Sequence, residues 1–111
     1  MRDDRVYLRH IQDAINRVLE YTKDGKGAFL ATPMKQDAVV RNLEIIGEAV
    51  KNLSEGVKAA HGGIPWKSIA GMRDRIIHQY FGVNLELVWE VVERDLPRLN
   101  AEVNGILQNL R

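Results

Sequence analysis

Four polar residues with chemically useful side chains, Arg73, Asp74, His78 and Tyr80, lie close together in this 111-residue chain. On a helix, Asp74 and His78 are one turn apart, so the carboxylate can orient the imidazole and fix its tautomer. Arg73 and Tyr80 would be about 20° apart around that helix, whereas Arg73 and His78 would be about 140° apart. A bound phosphate could still bridge Arg73 and His78, because the guanidinium reaches far and its planar fork matches phosphate oxygens.

These residue types are suited to cleavage of RNA without a metal ion. A neutral histidine can take the proton of a ribose 2′-hydroxyl near pH 7, and an arginine can stabilise the doubly negative phosphorane that follows. The pattern therefore predicts Arg73 and His78 as a catalytic pair, with Asp74 as a supporting residue and a 2′,3′-cyclic phosphate as the product. The alternative is structural, because an Arg, an Asp and a His on one amphipathic helix are more often a solvated polar face.

The charge of the chain is nearly balanced overall but uneven along its length. The formal net charge is +1, yet residues 56–82 contain four basic side chains and only one acidic one, Asp74. Among the basic residues, Lys67 and Arg75 flank Arg73, and we predict that they contact RNA. A solvated face remains the alternative explanation for this local excess.

The composition argues against several other kinds of site. There is no cysteine, and the three histidines do not have the spacing of a zinc motif, so we predict neither a metal nor a cofactor. No uncharged stretch approaches the roughly 20 apolar residues that span a bilayer. The first residues also lack the apolar run of a signal peptide. These features predict a cytoplasmic protein with no membrane partner.

The spacing of apolar residues predicts an all-α chain, because no segment alternates convincingly with period two. Four helices joined by short connections predict an antiparallel four-helix bundle, in one domain over residues 1–111, with room for short extra helices. The predicted helices cover about 3–22, from Pro33 to about Leu53, from Pro65 to about Tyr80, and from Asn84 to near the end of the sequence.

Five residues mark special positions in these helices. Thr32 and Asn84 are suited to cap the second and fourth helices. Gly47 lies in the apolar face of the second helix, which indicates close approach of another backbone. Gly82 is suited to end the third helical stretch in a left-handed cap. Pro97 lies inside the pattern of the last helix and should kink or split it.

The string Arg73-Asp-Arg-Ile-Ile-His78-Gln-Tyr80 resembles the Arg-x4-His-x-Tyr signature of HEPN domains, and specifically of HepT-like toxins from HepT–MntA toxin–antitoxin pairs. The resemblance covers nearly the whole chain. Further similar segments are Arg41-Asn-Leu-Glu-Ile-Ile-Gly-Glu-Ala49, Ile64-Pro-Trp66, Ile69-Ala-Gly-Met-Arg73 and Tyr80-Phe-Gly-Val83.

The resemblance implies a helical bundle that forms a homodimer, with Arg73 and His78 of both copies lining a shared cleft. It implies a metal-independent endoribonuclease toxin of a type VII-like system, and a higher hetero-oligomer with an MntA-like nucleotidyltransferase antitoxin. The antitoxin is expected to neutralise the toxin by transferring AMP from ATP to Tyr80. The added phosphate would repel RNA and obstruct the cleft.

Two other functions remain open from the sequence. The chain could be a non-catalytic helical partner that binds a nucleotide or substrate for a minimal nucleotidyltransferase. It could also be a dimerising helical protein in which Arg73 and His78 are structural, in which case their substitution would change the melting temperature more than any activity.

Overall fold

The fold is dominated by helices in a computed structural model of the chain, which describes residues 3–78 and 82–110. The helices are α1 (Asp4–Tyr21), α2 (Lys26–Ala31), α3 (Pro33–Asn52), α4 (Glu55–Ala60), α5 (Trp66–Ala70), α6 (Met72–Ile76), α7 (Leu85–Glu90) and α8 (Leu96–Asn109). A π-helical turn, Val91–Asp95, joins α7 to α8, and two short strands, β1 (Ile77–His78) and β2 (Gly82–Val83), form an antiparallel ladder. The predicted all-α helical bundle is confirmed, whereas the sequence did not predict the ladder.

The helices α1 and α3 pack against each other in opposite directions. The Asp4 carboxylate, at the start of α1, accepts hydrogen bonds from the backbone N–H (2.8 Å) and hydroxyl (2.7 Å) of Ser54, just beyond the end of α3. Towards the other end of α1, Arg17 Nε donates to Asn42 Oδ1 at 2.9 Å. The core between α1, α3 and α8 consists of buried aliphatic side chains, which include Leu8, Ile11, Ile15, Val39, Leu43, Ile46, Val50, Leu99, Val103 and Ile106.

The first two long helices begin and end close to the positions that the sequence predicted. Asp3 and Thr22 flank α1, and Asp3 Oδ1 accepts a hydrogen bond from the backbone N–H of Arg5. The role predicted for Thr32 is wrong, because its hydroxyl donates to the Ala28 carbonyl at 2.7 Å instead of accepting from α3. Thr32 thus stabilises the end of α2, one of the short extra helices.

The last helix begins and changes its geometry as the sequence predicted. Asn84 Oδ1 accepts a hydrogen bond from the backbone N–H of Leu87 at 3.1 Å and caps α7. Pro97 has no N–H to donate, and the π-helical turn lies just before it. The backbone N–H of Leu96 bonds to the Val91 carbonyl, so the helix continues through the turn with a different hydrogen-bond spacing.

The helix predicted for 65–80 is divided and ends early. Gly71 separates α5 from α6, and α6 ends at Ile76. Ile77 has an extended backbone, with φ −112° and ψ 118°. Ile76 and Ile77 are both β-branched, and such residues favour strands over helices. The chain therefore leaves the helix before it reaches His78.

The ladder between β1 and β2 provides hydrogen-bond partners for the backbone at Ile77 and His78, where the predicted helix would have continued. Ile77 pairs with Val83 and His78 pairs with Gly82. Gly82 has φ +74°, a conformation that glycine adopts without strain. Its left-handed conformation agrees with the prediction, but its role differs, because Gly82 belongs to β2 and does not cap a helix.

Candidate active site

A close contact between two helices places α6 beside α3. A Cβ atom at Gly47, in α3, would lie 3.3 Å from the carbonyl oxygens of Ile69 and Ala70, in α5. This distance is shorter than most Cβ contacts in proteins, so the predicted close approach of another backbone at Gly47 is confirmed. Only Gly71 separates α5 from α6. The contact at Gly47, which holds α5 against α3, therefore also positions Arg73 in α6.

Substitution of Gly47 with alanine is expected to lower the melting temperature, although alanine is the better helix former by about 1 kcal/mol. The added methyl group would meet two backbone oxygens and force α5 away from α3. Thermal unfolding followed by circular dichroism tests this expectation. The matched control is Gly105→Ala in α8, where no described atom other than those of the adjacent residues and the nearby backbone of α8 lies within 4 Å of the added carbon, and the melting temperature should rise. A rise for both variants would contradict the proposed role of Gly47.

Arg73 is held against α3 by a carboxylate. Its Nε donates to Glu44 Oε2 at 3.0 Å. The Arg73 side chain is 58% exposed and that of Glu44 is 29% exposed, so Glu44 is the more buried partner. Within residues 3–78 and 82–110, no group accepts a hydrogen bond from the two terminal nitrogens of Arg73. The guanidinium is therefore positioned by Glu44 and keeps donors that can bind an anion.

The Arg73–Glu44 pair lies in an open groove between α3 and the segment α5–α6. We call this surface the Arg73 groove. Lys51 and Glu48 form an ion pair along α3 at 3.7 Å. The remaining charged side chains of the groove are Arg41 on α3, Lys67 on α5 and Asp74 on α6. All three are exposed, so they can contact a ligand that enters the groove.

The four predicted site residues are only partly brought together in the described structure. The prediction that Asp74 and His78 are helical neighbours is wrong, because α6 ends between them. Asp74 is exposed in the first turn of α6 and lines the Arg73 groove. The backbone of His78 pairs with Gly82, while Tyr80 and the imidazole of His78 lie outside what the structure describes. Their catalytic and regulatory roles therefore stay predictions.

The two residues predicted to contact RNA lie on different surfaces. Lys67 lines the Arg73 groove, in agreement with a role beside Arg73. Arg75 instead lines a separate cavity between α5–α6 and the region around the π-helical turn. Arg73 and Arg75 are two residues apart in α6, so their side chains leave the helix about 200° apart. They therefore reach different surfaces.

Sequence reasoning did not single out Glu44 as part of the site. The sequence did contain an indication, because Glu44 is a charged residue placed between the apolar residues Leu43 and Ile45 of α3. It also lies in the segment from Arg41 to Ala49 that carries part of the family resemblance. Its partner could not be identified without the approach of α5 to α3 at Gly47.

The described ranges contain no cluster of three or more His, Cys, Asp or Glu side chains that could hold a metal ion. In the same part of the chain, no helix is both long and apolar enough to cross a membrane.

The fold and the groove define a helical-bundle protein with an exposed arginine positioned by a carboxylate. Comparison with protein families gives a match to the family described as ribonuclease HepT-like, over residues 11–106. The chain belongs to this HepT-like ribonuclease family.

Curated relatives are similar over almost the whole chain. A Methanocaldococcus jannaschii protein, whose name includes both gamma-glutamylcyclotransferase and RNase, is 46% identical over 98% of this chain, which spans 50% of that relative's length. A Caldanaerobacter subterraneus protein with RNase in its name is 45% identical, with 97% of each chain covered. The "Probable ribonuclease HepT" of Thermococcus cleftensis is 42% identical, with 91% of this chain and 93% of the relative covered. No solved structure matches the chain significantly.

Proposed function

We propose that this chain is a metal-independent endoribonuclease and that Arg73 and His78 carry out the cleavage. The observation that carries the proposal is the exposed Arg73 guanidinium, held by Glu44 in an open groove. Family membership and relatives named as ribonucleases give further support. His78 follows Arg73 at the spacing of the family signature, and its imidazole is the general base that such a reaction needs.

The proposed reaction is an internal transfer within the RNA strand. The imidazole of His78 takes the proton of a ribose 2′-hydroxyl, and the 2′ oxygen forms a bond to the adjacent phosphorus. Arg73 stabilises the negative charge that builds up on the non-bridging oxygens. The bond from phosphorus to the 5′ oxygen then breaks, and that oxygen takes a proton from the imidazolium or water. The products are a 2′,3′-cyclic phosphate and a 5′-hydroxyl.

The His78→Ala variant tests this proposal against the wild-type chain. We expect wild-type expression without an antitoxin to stop growth and degrade RNA, and the variant to lose both effects. Loss of a general base lowers a rate by about 10²–10⁴-fold. A His61→Ala variant is the matched control, since His61 is a loop histidine outside the Arg73 groove. A variant at His78 that remains as toxic as the wild type would contradict the proposal.

We further propose that the enzyme acts as a homodimeric toxin in a type VII-like system in the cytoplasm, where its RNA substrates are. The groove around Arg73 is open, and two copies facing each other would enclose RNA better than one. The proposed antitoxin is an MntA-like nucleotidyltransferase that adds AMP to Tyr80 and binds the toxin in a larger hetero-oligomer. A phosphate two residues from His78 would repel the RNA backbone.

Substitution of Tyr80 with phenylalanine is expected to leave the toxin active but insensitive to its antitoxin. The phenol oxygen is the proposed acceptor of AMP, and phenylalanine lacks it. Growth upon co-expression with the antitoxin, together with intact-protein mass spectrometry, measures both consequences. Tyr7→Phe is the control and should still be neutralised. If the Tyr80 variant is also neutralised with the mass of an added AMP, Tyr80 is not the acceptor.

A further inference from the structure

A second concave surface lies on the other side of the α5–α6 segment from the Arg73 groove. It is a cavity of about 180 Å³, and it has no lining residue in common with that groove. Its walls come from the loop before α5, from α5 and α6, from the π-helical turn and from α8. Neither the family signature nor the proposed cleavage reaction gives this cavity a role.

The inner wall of the cavity is apolar and well anchored. Its buried side chains are Ile64, Met72, Val91, Leu96 and Leu99. The loop that carries Ile64 is anchored by the neighbouring indole, because Trp66 Nε1 donates to the His61 carbonyl at 3.1 Å. An apolar protein cavity of about 150 Å³ can hold a benzene ring, so this one has room for an aromatic ring system such as a nucleobase.

The rim of the cavity is charged and exposed. Arg75 of α6 and Arg98 of α8 approach it from different elements, and Asp95 and Glu102 complete the rim. None of these four side chains forms an ion pair with another residue in the described part of the chain. Their hydrogen-bonding capacity is therefore available to a ligand with complementary charge and polarity.

We propose that this cavity binds one nucleotide, with the base against the apolar wall and the phosphate at Arg75 and Arg98. Arginine forks match phosphate oxygens, and the unstacked bases of single-stranded RNA are open to contact with protein side chains. Asp95 and Glu102 can accept hydrogen bonds from ribose hydroxyls or from amino groups of the base. The nucleotide is either a free mononucleotide or one unit of an RNA strand.

The experiment measures binding without cleavage. Equilibrium dialysis gives the Kd for 5′-AMP, and fluorescence anisotropy gives the Kd for a single-stranded 2′-O-methyl oligonucleotide, which lacks the free 2′-hydroxyl. Two variants disturb the cavity: Arg98→Gln removes a charge, and Ser68→Leu fills the mouth with an exposed side chain. Arg94→Gln is the matched control, because Arg94 pairs with Glu90 and does not line the cavity.

We expect Arg98→Gln to weaken binding about tenfold, the loss typical of one charge-assisted contact, and Ser68→Leu to weaken binding at least as much by obstructing the cavity, while the control leaves Kd unchanged. Weaker binding of both probes supports a site open to free nucleotides, and weaker binding of the oligonucleotide alone supports a site for RNA. Unchanged Kd values for both probes, or equal weakening by Arg94→Gln, would overturn the proposal. Failure of the proposed nuclease function would appear separately, as absence of RNA cleavage by the wild-type chain.

Discussion

Replacement of Arg73 with alanine is expected to lower kcat/KM for RNA cleavage by about 10²–10³-fold, because one preorganised donor to the transition-state charge is lost. The Arg73→Lys variant should recover only part of this loss. Lysine keeps the positive charge, but it lacks the planar fork that can bond to Glu44 and to phosphate at once. Single-turnover cleavage of a labelled RNA measures both variants.

The control for Arg73 is Arg94→Ala, which removes the same charge from an exposed ion pair with Glu90, outside the Arg73 groove. It should reduce cleavage little. Unfolding of the Arg73 variants should differ little from the wild type, because exposed ion pairs contribute about 0–1 kcal/mol to stability. Equal losses of activity at Arg73 and Arg94 would mean that only the total charge matters.

Replacement of Glu44 with alanine is expected to lower kcat about tenfold or more, although it removes a negative charge from a surface proposed to bind RNA. The reason is that Glu44 fixes the Nε edge of Arg73 at 3.0 Å, and a mobile arginine stabilises the transition state less well. Glu44→Gln should be less severe, because the amide oxygen can still accept the hydrogen bond. Rescue by glutamine would separate positioning from a general effect of charge.

Glu48 provides the matched control, one turn further along α3 and in the same groove. Its partner is Lys51, not Arg73. Glu48→Ala should therefore lower KM through reduced repulsion of RNA and leave kcat unchanged. If Glu44→Ala also lowers KM and leaves kcat unchanged, Glu44 repels RNA and does not position Arg73.

The long helices were predictable because their apolar spacing is regular and their ends carry recognisable residues. Asp3, Pro33 and Asn84 each mark a helix start that the structure contains. Pro97 likewise predicted a change in the last helix. These features depend on local chemistry, which a sequence shows directly.

The structure around His78 was not predictable in the same way. Asp74 and His78 are spaced as on one face of a helix. Ile77 and His78 nevertheless pair with Val83 and Gly82 in a ladder. This pairing depends on a contact between separated segments, and the positive φ of Gly82 was compatible with either a helix cap or a strand. The Arg73–Glu44 contact also joins distant segments, so the sequence identified Arg73 but not the residue that holds it.

Cleavage of a defined single-stranded RNA in EDTA, with analysis of the new 3′ ends, is the decisive experiment on metal-independent cleavage by Arg73 and His78. We expect the wild-type chain to cleave without a divalent metal, the products to end in a 2′,3′-cyclic phosphate, and His78→Ala and Arg73→Ala to lose this activity. Cleavage that EDTA abolishes, or products that end in a 3′-hydroxyl, would contradict a reaction driven by the 2′-hydroxyl with Arg73 and His78.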